Sequence, residues 1–194
     1  MSIEPFSNIS LRGRVAYAIS CLENMISALE YDINDWEIVL NYLWTFTDIR
    51  YLDDWNEIIV EIIPGNLLEF ETYEEQEFAH LSKEEYLYLR NLYKSCDLSI
   101  HIFIREIFEL GISHAYSVIE GHGMNSLKCM EQIILFMEKN QIPLPDVHLF
   151  LMYPLDENRG WGNRFDGKRI SKLLEGKTGG STSLRLNIRG ESKT

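Results

Sequence analysis

The sequence predicts an all-α fold: a single-domain antiparallel helical bundle over residues 1–175, followed by a Gly/Ser/Lys-rich mobile tail over residues 176–194. Apolar residues recur at spacings of three and four through most of the first 140 residues, which is the period of one helix face. Ser, Asp and Asn precede these stretches, and Gly or Pro follows them, as expected at helix ends. The chain has 194 residues, 45% of them hydrophobic, which is enough to bury one full core.

Three helices are predicted in the first 65 residues, and the short links between them favour antiparallel packing. The first covers residues 11–30 behind an N-cap at Ser10. Its apolar face comprises Leu11, Val15, Ile19, Leu22, Ile26 and Leu29. The second helix starts at Asn34 or Asp35, and the third starts at Asp53 and ends at Pro64-Gly65.

Further helices are predicted after an acidic stretch, residues 66–80, that reads as a loop or an irregular helix. Ser82 and Glu85 match the capping box, and the apolar period that follows is one helix or two, broken near Asp97. Another helix is capped by Asn125 or Ser126. The apolar run between prolines at residues 143–154 is either one or two helical turns or a short strand.

The stretch NRGWGNRFDGKR, residues 158–169, concentrates glycine and basic residues. Its glycine spacing does not match GxGxxG or GxxxxGK[ST], and no βαβ pattern precedes it, so a phosphate cradle is disfavoured. Glycines at 160 and 162 instead permit positive φ and a tight reversal around the intervening tryptophan. The expected structural loop has Trp161 and Phe165 plugging the end of the core and a short last helix starting at Asp166 or Gly167; its members are Gly160, Trp161, Gly162, Phe165, Asp166 and Gly167.

No pattern in the chain predicts an active site, a metal site or a cofactor. The three cysteines are far apart and lack CxxC spacing, which favours reduced thiols in a cytoplasmic protein. The five histidines lack metal-ligand spacing, and no GxSxG, SxxK or Cys/His nucleophile signature occurs. Asp53, Asp54 and Glu57 cluster at a helix start, where the helix dipole favours carboxylates without any catalytic role. No stretch approaches the roughly 20 apolar residues of a membrane span.

The charge of the chain is acidic and uneven. The net charge is −12; residues 1–150 carry nine basic and 25 acidic residues, whereas residues 151–194 carry nine basic and five acidic. Between Asp53 and Glu85 there are eleven acidic residues and one basic residue, Lys83. Such a field opposes direct nucleic-acid binding, and these like charges repel one another, so a basic protein partner is favoured.

Three stretches carry a family resemblance: RGRVAYAISCLENMI at 12–26, NDWEIVLNYLW at 34–44, and GWGNRFDG at 160–167. Over the first 65 residues and the 145–170 region, the chain resembles an all-α immunity-protein family of bacterial polymorphic-toxin and contact-dependent growth inhibition systems. The resemblance implies a cytoplasmic antitoxin that binds the C-terminal domain of a cognate toxin and occludes its active site or another essential surface. Many such toxins are basic nucleases, which an acidic protein suits as a mimic of the phosphate backbone.

The acidic segment from Asp53 to Glu85, with Tyr73 and Phe78 as aromatic anchors, is therefore the expected toxin interface. Its candidate residues are Asp53, Asp54, Glu57, Glu69, Glu71, Tyr73, Glu74, Glu75, Glu77 and Phe78. Two other functions stay open. One is a small helical enzyme, dependent on a metal or a nucleotide, that uses Asp53, Asp54 and the 158–169 loop. The other is a regulatory helical adaptor with a different partner.

Overall fold

The computed structural model describes residues 2–115, 117–172 and 174. It confirms the all-α fold: the described residues form α-helices and 3₁₀ turns, and their only β-type pairing is an isolated bridge between Ile9 and Pro154. The buried apolar side chains form one cluster. The helices are α1 (Leu11–Ala28), α2 (Glu37–Trp44), α3 (Leu52–Ile62), α4 (Pro64–Leu67), α5 (Lys83–Ser95), α6 (Leu98–Ile112) and α7 (Met124–Lys139).

Helix α1 is the central element and contacts α2, α6 and α7. It begins as predicted, with the Ser10 Oγ accepting the Gly13 N–H at 3.3 Å. The predicted inner-face residues Leu11, Val15, Ile19, Leu22 and Ile26 are buried, but burial is not confined to that face, since fifteen of the eighteen residues of α1 are buried. Leu29, expected on the inner face, lies after the helix and is 38% exposed. Polar side chains on α1 are therefore buried too, and they need partners inside the protein.

Arg14 supplies the main polar connection between α1 and a distant part of the chain. Its guanidinium is fully buried and donates to the carbonyls of Phe6 (3.1 Å), His122 (2.6 Å) and Gly123 (3.1 Å) and to the Ser126 hydroxyl (2.5 Å). These acceptors lie in the N-terminal 3₁₀ turn and at the start of α7. One side chain thus holds both segments against α1.

The predicted boundaries of the next two helices were close but not right. A 3₁₀ turn at Ile33–Trp36 precedes α2, and it is capped by Asp32, whose carboxylate accepts the Asn34 N–H at 2.9 Å. Helix α3 ends at Ile62, but Pro64 does not stop helical structure. It begins the one-turn helix α4, because proline fits the first helical turn, where its missing N–H is not needed.

Two predicted helix starts around the middle of the chain are confirmed, and one is corrected. Ser82 and Glu85 form the capping box, and the apolar period after it divides at Asp97, whose carboxylate accepts the Ser99 N–H at 2.8 Å. Helix α7 starts earlier than predicted, at Met124, behind Gly123 with φ 65°. Ser126 is therefore inside the first turn, where Arg14 binds it. The run between prolines forms a 3₁₀ turn at Val147–Phe150, which is the helical alternative.

The glycine-rich loop makes the predicted tight reversal, and it closes over the start of α1. Gly160 and Gly162 have φ values of 88° and 81°, and the Trp161 carbonyl accepts the Arg12 N–H at 3.1 Å. Trp161 and Phe165 are half-buried and pack against the core. Phe165 stacks on Tyr153 with ring centroids 3.8 Å apart.

The short last helix predicted from Asp166 or Gly167 was wrong within the described residues, where a single 3₁₀ turn, Gly167–Arg169, takes its place. The Asp166 carboxylate pairs with Arg169 at 3.0 Å and makes no cap. The Lys172 N–H donates to Glu23 and the Leu174 N–H to the Ser171 hydroxyl, so neither donates to a helical carbonyl. The predicted tail, 176–194, lies outside the described residues.

We expect Gly162→Ala to lower the free energy of unfolding by about 1–3 kcal/mol. The substitution forces an alanine to a φ of 81° and places its Cβ 2.8 Å from the Ser10 Cβ, at the cap of α1. The measurement is urea denaturation. Gly65→Ala is the matched control, because a Cβ at Gly65 meets nothing within 4 Å and its φ is not positive. Equal stability of the two variants would contradict the role given to the loop.

Candidate partner-binding surface

The acidic stretch, residues 66–80, is folded as a loop against α3 and α5, and a carboxylate of α3 holds it there. Glu61 on α3 accepts three backbone N–H groups, those of Ala79 (2.7 Å), His80 (2.9 Å) and Leu81 (3.0 Å). Three such bonds use most of the acceptor sites of a carboxylate, whose two oxygens carry about four lone pairs. Glu61 was not among the predicted site residues, because nothing local in the sequence marks a carboxylate that binds backbone eighteen residues away.

Three of the predicted interface glutamates have partners inside the protein. Glu74 pairs with Lys83, and hydrogen bonding from that ammonium lowers the pKa of Glu74. Glu71 pairs with Arg90 at 2.6 Å, a residue of α5 that lies beyond the acidic stretch. Glu75 accepts the Glu71 N–H at 3.0 Å. The expectation that these glutamates are unpaired was therefore wrong, since folding brings cations and N–H groups to them.

Tyr73 and Phe78 also serve the loop itself. Their rings stack with centroids 5.2 Å apart, and Phe78 lies 5.3 Å from the ring of Tyr86 on α5. The Tyr73 hydroxyl donates to the Leu81 carbonyl at 2.8 Å. Both side chains are half-buried in the loop. They anchor the acidic stretch to the core, and little of either ring is left for a partner.

The remaining predicted carboxylates form what we call the acidic face: Asp53, Asp54, Glu57, Glu69 and Glu77. None of the five takes part in an ion pair within the described residues. Asp53 and Glu57 are exposed and four residues apart on α3, so they lie on one side of the helix, in line with Glu61.

Glu69 and Glu77, the acidic-face residues that follow α3, lie on the loop. Glu77 lies two residues before Ala79, which Glu61 binds. Glu69 precedes Phe70, whose ring meets that of Phe78 edge-on at 5.9 Å. The acidic face is therefore carried on a helix and on a loop that is fixed by hydrogen bonds and ring packing.

Tyr51 adds an exposed aromatic side chain beside the acidic face. It immediately precedes α3, its side chain is 56% exposed, and Arg50 lies over its ring at 5.0 Å. Aromatic side chains beside charged ones are typical of energetically important interface positions. Tyr51 was not among the predicted site residues, because no periodicity distinguishes an exposed tyrosine from a buried one at a helix start.

One pair of side chains resembles a catalytic pair, which bears on the alternative function as a small enzyme. The Ser126 Oγ lies 3.2 Å from His114 Nε2, the geometry of a nucleophile and its base. Ser126 is fully buried, however, and its hydroxyl donates to the Gly123 carbonyl at 3.0 Å while accepting from Arg14. Burial, and then the charge of Arg14, lower the pKa of His114. The cluster therefore acts as an internal polar network.

The 158–169 loop and the acidic residues were the other features assigned to an enzyme. The Phe165 N–H donates to the Thr47 carbonyl at 3.0 Å and the Gly167 N–H to the Thr47 Oγ1 at 3.0 Å, so these two N–H groups are not free to bind phosphate. Within residues 2–115, 117–172 and 174, no group of three or more His, Cys, Asp or Glu side chains is arranged to hold a metal ion.

Glu23 is a buried carboxylate that ties the C-terminal segment to α1. It is 1% exposed and accepts from the Trp44 indole N–H at 3.0 Å, from the Ser171 hydroxyl, and from the Lys172 N–H at 3.0 Å. Burial raises the pKa of Glu23, and the three hydrogen bonds oppose that shift. The charge of Lys172, a residue of the same segment, also opposes it.

We expect the stability difference between wild type and Glu23→Gln to change with pH. Because the pKa of Glu23 is raised above 4.5 on folding, the folded chain binds the proton more tightly than the unfolded chain. The stabilising contribution of that proton is complete below the unfolded pKa and is lost as pH rises through the folded pKa. Wild type should therefore gain stability relative to Glu23→Gln as pH falls from neutral toward 4.5. Urea denaturation at several pH values measures this, and parallel pH profiles would contradict it.

No helix in the described part of the chain has both the length and the apolar character needed to cross a membrane. Comparison of the chain with protein-family models, with curated proteins and with solved structures gives no match.

Proposed function

We propose that the protein is a cytoplasmic immunity protein that binds and neutralises the C-terminal domain of a cognate toxin through the acidic face. The observation that carries the proposal is a set of five carboxylates that make no ion pair within the described residues, on α3 and on a fixed loop, with exposed Tyr51 at the start of α3. The resemblance of residues 12–26, 34–44 and 160–167 to an immunity-protein family supports the same function.

The electrostatics of the acidic face favour a basic protein as the partner. Its like charges repel one another in the free protein, and a cationic surface relieves that repulsion on binding. The net charge of −12 also accelerates encounter with a basic partner over a distance of about one Debye length, ~8 Å at physiological salt. The same charge opposes direct binding to nucleic acid.

The mode of neutralisation follows from the same surface. A basic nuclease presents a cationic cleft for the phosphate backbone, and carboxylates on a rigid helix and loop occupy such a cleft as a substitute for phosphates. Rigidity matters, because ordering a flexible segment on binding would reduce the affinity. Bonds from Glu61 and the packing of Tyr73 and Phe78 supply that rigidity in the free protein.

Co-expression tests the proposed function. A bacterial strain that expresses the toxin domain encoded beside the gene for this protein is expected to stop growing, and co-expression of this protein should restore growth. An empty vector and an unrelated acidic protein are the controls. Absence of rescue, with both proteins soluble, would contradict the proposal. Rescue without a physical complex would instead favour the adaptor alternative.

A further inference from the structure

A cavity of about 580 Å³ lies where three segments meet: the N-terminal 3₁₀ turn, the turn before α7, and the segment that leads into the glycine-rich loop. Its lining includes Ile119, His122, Pro154, Leu155, Asp156 and Arg159. The volume is within the range of about 300–1,000 Å³ that is usual for small-molecule sites in proteins. The cavity is therefore large enough to hold a small ligand.

Contacts between the three segments fix the walls of the cavity. The Leu155 N–H donates to the Asn8 carbonyl at 2.9 Å, and the His122 Nδ1 donates to a carbonyl of the N-terminal turn at 3.0 Å. On the third side the loop packs closely on Ile119, since a Cβ at Gly160 would lie 2.7 Å from Ile119 Cγ2. The cavity is therefore preformed, and a ligand does not have to order its walls on binding.

Asp156 and Arg159 place one charge of each sign in the lining. Both side chains are exposed, and neither makes an ion pair or a hydrogen bond within the described residues. A later turn provides a comparison, because Asp166 and Arg169 are also three residues apart and pair at 3.0 Å. The sequence spacing thus permits an ion pair between Asp156 and Arg159, and the fold keeps the two charges apart.

The backbone accounts for this separation. Asn158 and Arg159 are both left-handed, with φ values of 44° and 57°, whereas none of the residues 166–169 has a positive φ. Asparagine tolerates the left-handed conformation, but it is uncommon for an arginine. Strained conformations of this kind cluster at ligand-binding and active sites. The strained residue in the wall of the cavity is thus also one of its two charged residues.

Charges of both signs in the lining limit the class of ligand. A simple anion pairs with Arg159 but is repelled by Asp156, and a simple cation meets the reverse. A molecule that carries both signs pairs with both and forms a charge-assisted hydrogen bond at each end. Ile119, Pro154 and Leu155 supply apolar contact in the same cavity.

We propose that this cavity binds a small zwitterion, an α-amino acid with an apolar side chain. The carboxylate of the ligand pairs with the Arg159 guanidinium, and its ammonium group pairs with the Asp156 carboxylate. The ligand therefore bridges the two charges that the turn keeps apart, and its side chain lies against the apolar part of the lining. This site is independent of the proposed toxin binding, since its lining shares no residue with the acidic face.

Three probes separate the parts of this proposal: L-leucine, which carries both charges; leucinamide, which lacks the carboxylate; and 4-methylpentanoate, which lacks the ammonium group. The full chain, labelled with ¹⁵N, is titrated with each at physiological salt. The backbone amides of Gly121 and Gly160, which line the cavity, report on binding. L-Leucine should shift both resonances and bind at least about tenfold more tightly than either analogue, the ratio that one hydrogen bond to a charged group supplies.

Two variants assign the two charges, and the pair in the later turn supplies the matched controls. Arg159→Gln should weaken L-leucine binding about tenfold but not leucinamide binding. Asp156→Asn should weaken L-leucine binding by a similar factor but not 4-methylpentanoate binding. Arg169→Gln and Asp166→Asn make the same chemical changes outside the cavity and should leave all three affinities unchanged.

The outcomes that would overturn the proposal are distinct. Resonances of Gly121 and Gly160 that stay unmoved at the solubility limit of L-leucine would show that the cavity is not its site. An analogue that binds as tightly as L-leucine would show that the charge it lacks is not recognised. Cavity variants that bind L-leucine as well as the control variants do would remove Asp156 and Arg159 from the site. If a cavity variant fails to fold, the comparison of the three probes on the wild-type chain decides.

Discussion

Replacing Arg14 with methionine is expected to lower the free energy of unfolding by about 3–5 kcal/mol, the range for breaking a buried charged network. The guanidinium is fully buried, and its four acceptors lie in the N-terminal turn and at the start of α7. Methionine fills similar space, but it removes one donor from each of the carbonyls of Phe6, His122 and Gly123, of which Phe6 and Gly123 keep the N–H groups of Ile9 and Leu127. Each carbonyl left unsatisfied costs about 1–3 kcal/mol.

The charge of Arg14 determines how the loss of stability should depend on salt. Burial lowers the pKa of Arg14 to about 10, so the side chain is still charged at neutral pH. No carboxylate bonds to this guanidinium within the described residues, and backbone carbonyls stabilise it instead. The loss in Arg14→Met should consequently be similar at low and high salt, because neutral acceptors are not screened as an ion pair would be.

Urea denaturation measures the effect, with Arg105→Met as the control. Arg105 lies on α6, is half-exposed and pairs with Glu109 in an i,i+4 arrangement, so its loss should cost about 0.5 kcal/mol or less. If the free energy of unfolding falls no further in Arg14→Met than in Arg105→Met, the network around the start of α7 does not have the stabilising role assigned to it.

The second large effect concerns binding. Changing Asp53, Glu57 and Glu77 to lysine is expected to slow association with the cognate toxin domain by about 10- to 100-fold at low salt, the range for electrostatic steering. All three side chains are exposed and make no ion pair in the described structure, so the free protein should keep its fold. Glu74 and Glu75 are left unchanged, because they bind Lys83 and the Glu71 N–H.

The matched control reverses three exposed glutamates elsewhere, Glu30, Glu120 and Glu131, which alters the net charge by the same amount. Stopped-flow association rates at two salt concentrations measure both variants. The acidic-face variant should associate with the toxin domain more slowly than the control does. Its association rate should also depend less on the salt concentration. Equal rates for the two would mean that the net charge, and not the acidic face, directs the encounter.

Features encoded by neighbouring residues were predictable from the sequence. The caps at Ser10 and Ser82 and the break at Asp97 follow from side chains that bind N–H groups two or three residues away. The left-handed turn at Gly160 and Gly162 follows from the absence of a Cβ. The all-α class follows because such local signals agree with the apolar period along the chain.

Features that depend on distant partners were not predictable. Nothing near Glu23 indicates that it binds Ser171, and nothing near Arg14 indicates that it binds the turn before α7. The pairing of Glu71 with Arg90 is of the same kind. The number of charges along the sequence therefore overestimated how many carboxylates are without a partner inside the protein. Of the predicted carboxylates, those of the acidic face make no ion pair within the described residues, and Tyr51, at the start of α3, is exposed.

The most direct test of the central claim measures the binding of the purified protein to the toxin domain encoded beside its gene. The method is titration calorimetry at low and at physiological salt. The proposed function predicts a one-to-one complex, with an affinity of roughly 10⁻⁹ M or tighter that weakens as salt rises. The triple lysine variant at Asp53, Glu57 and Glu77 should lose most of that affinity. No heat of binding at either salt concentration, with both proteins folded, would contradict the claim that the acidic face binds and neutralises a toxin.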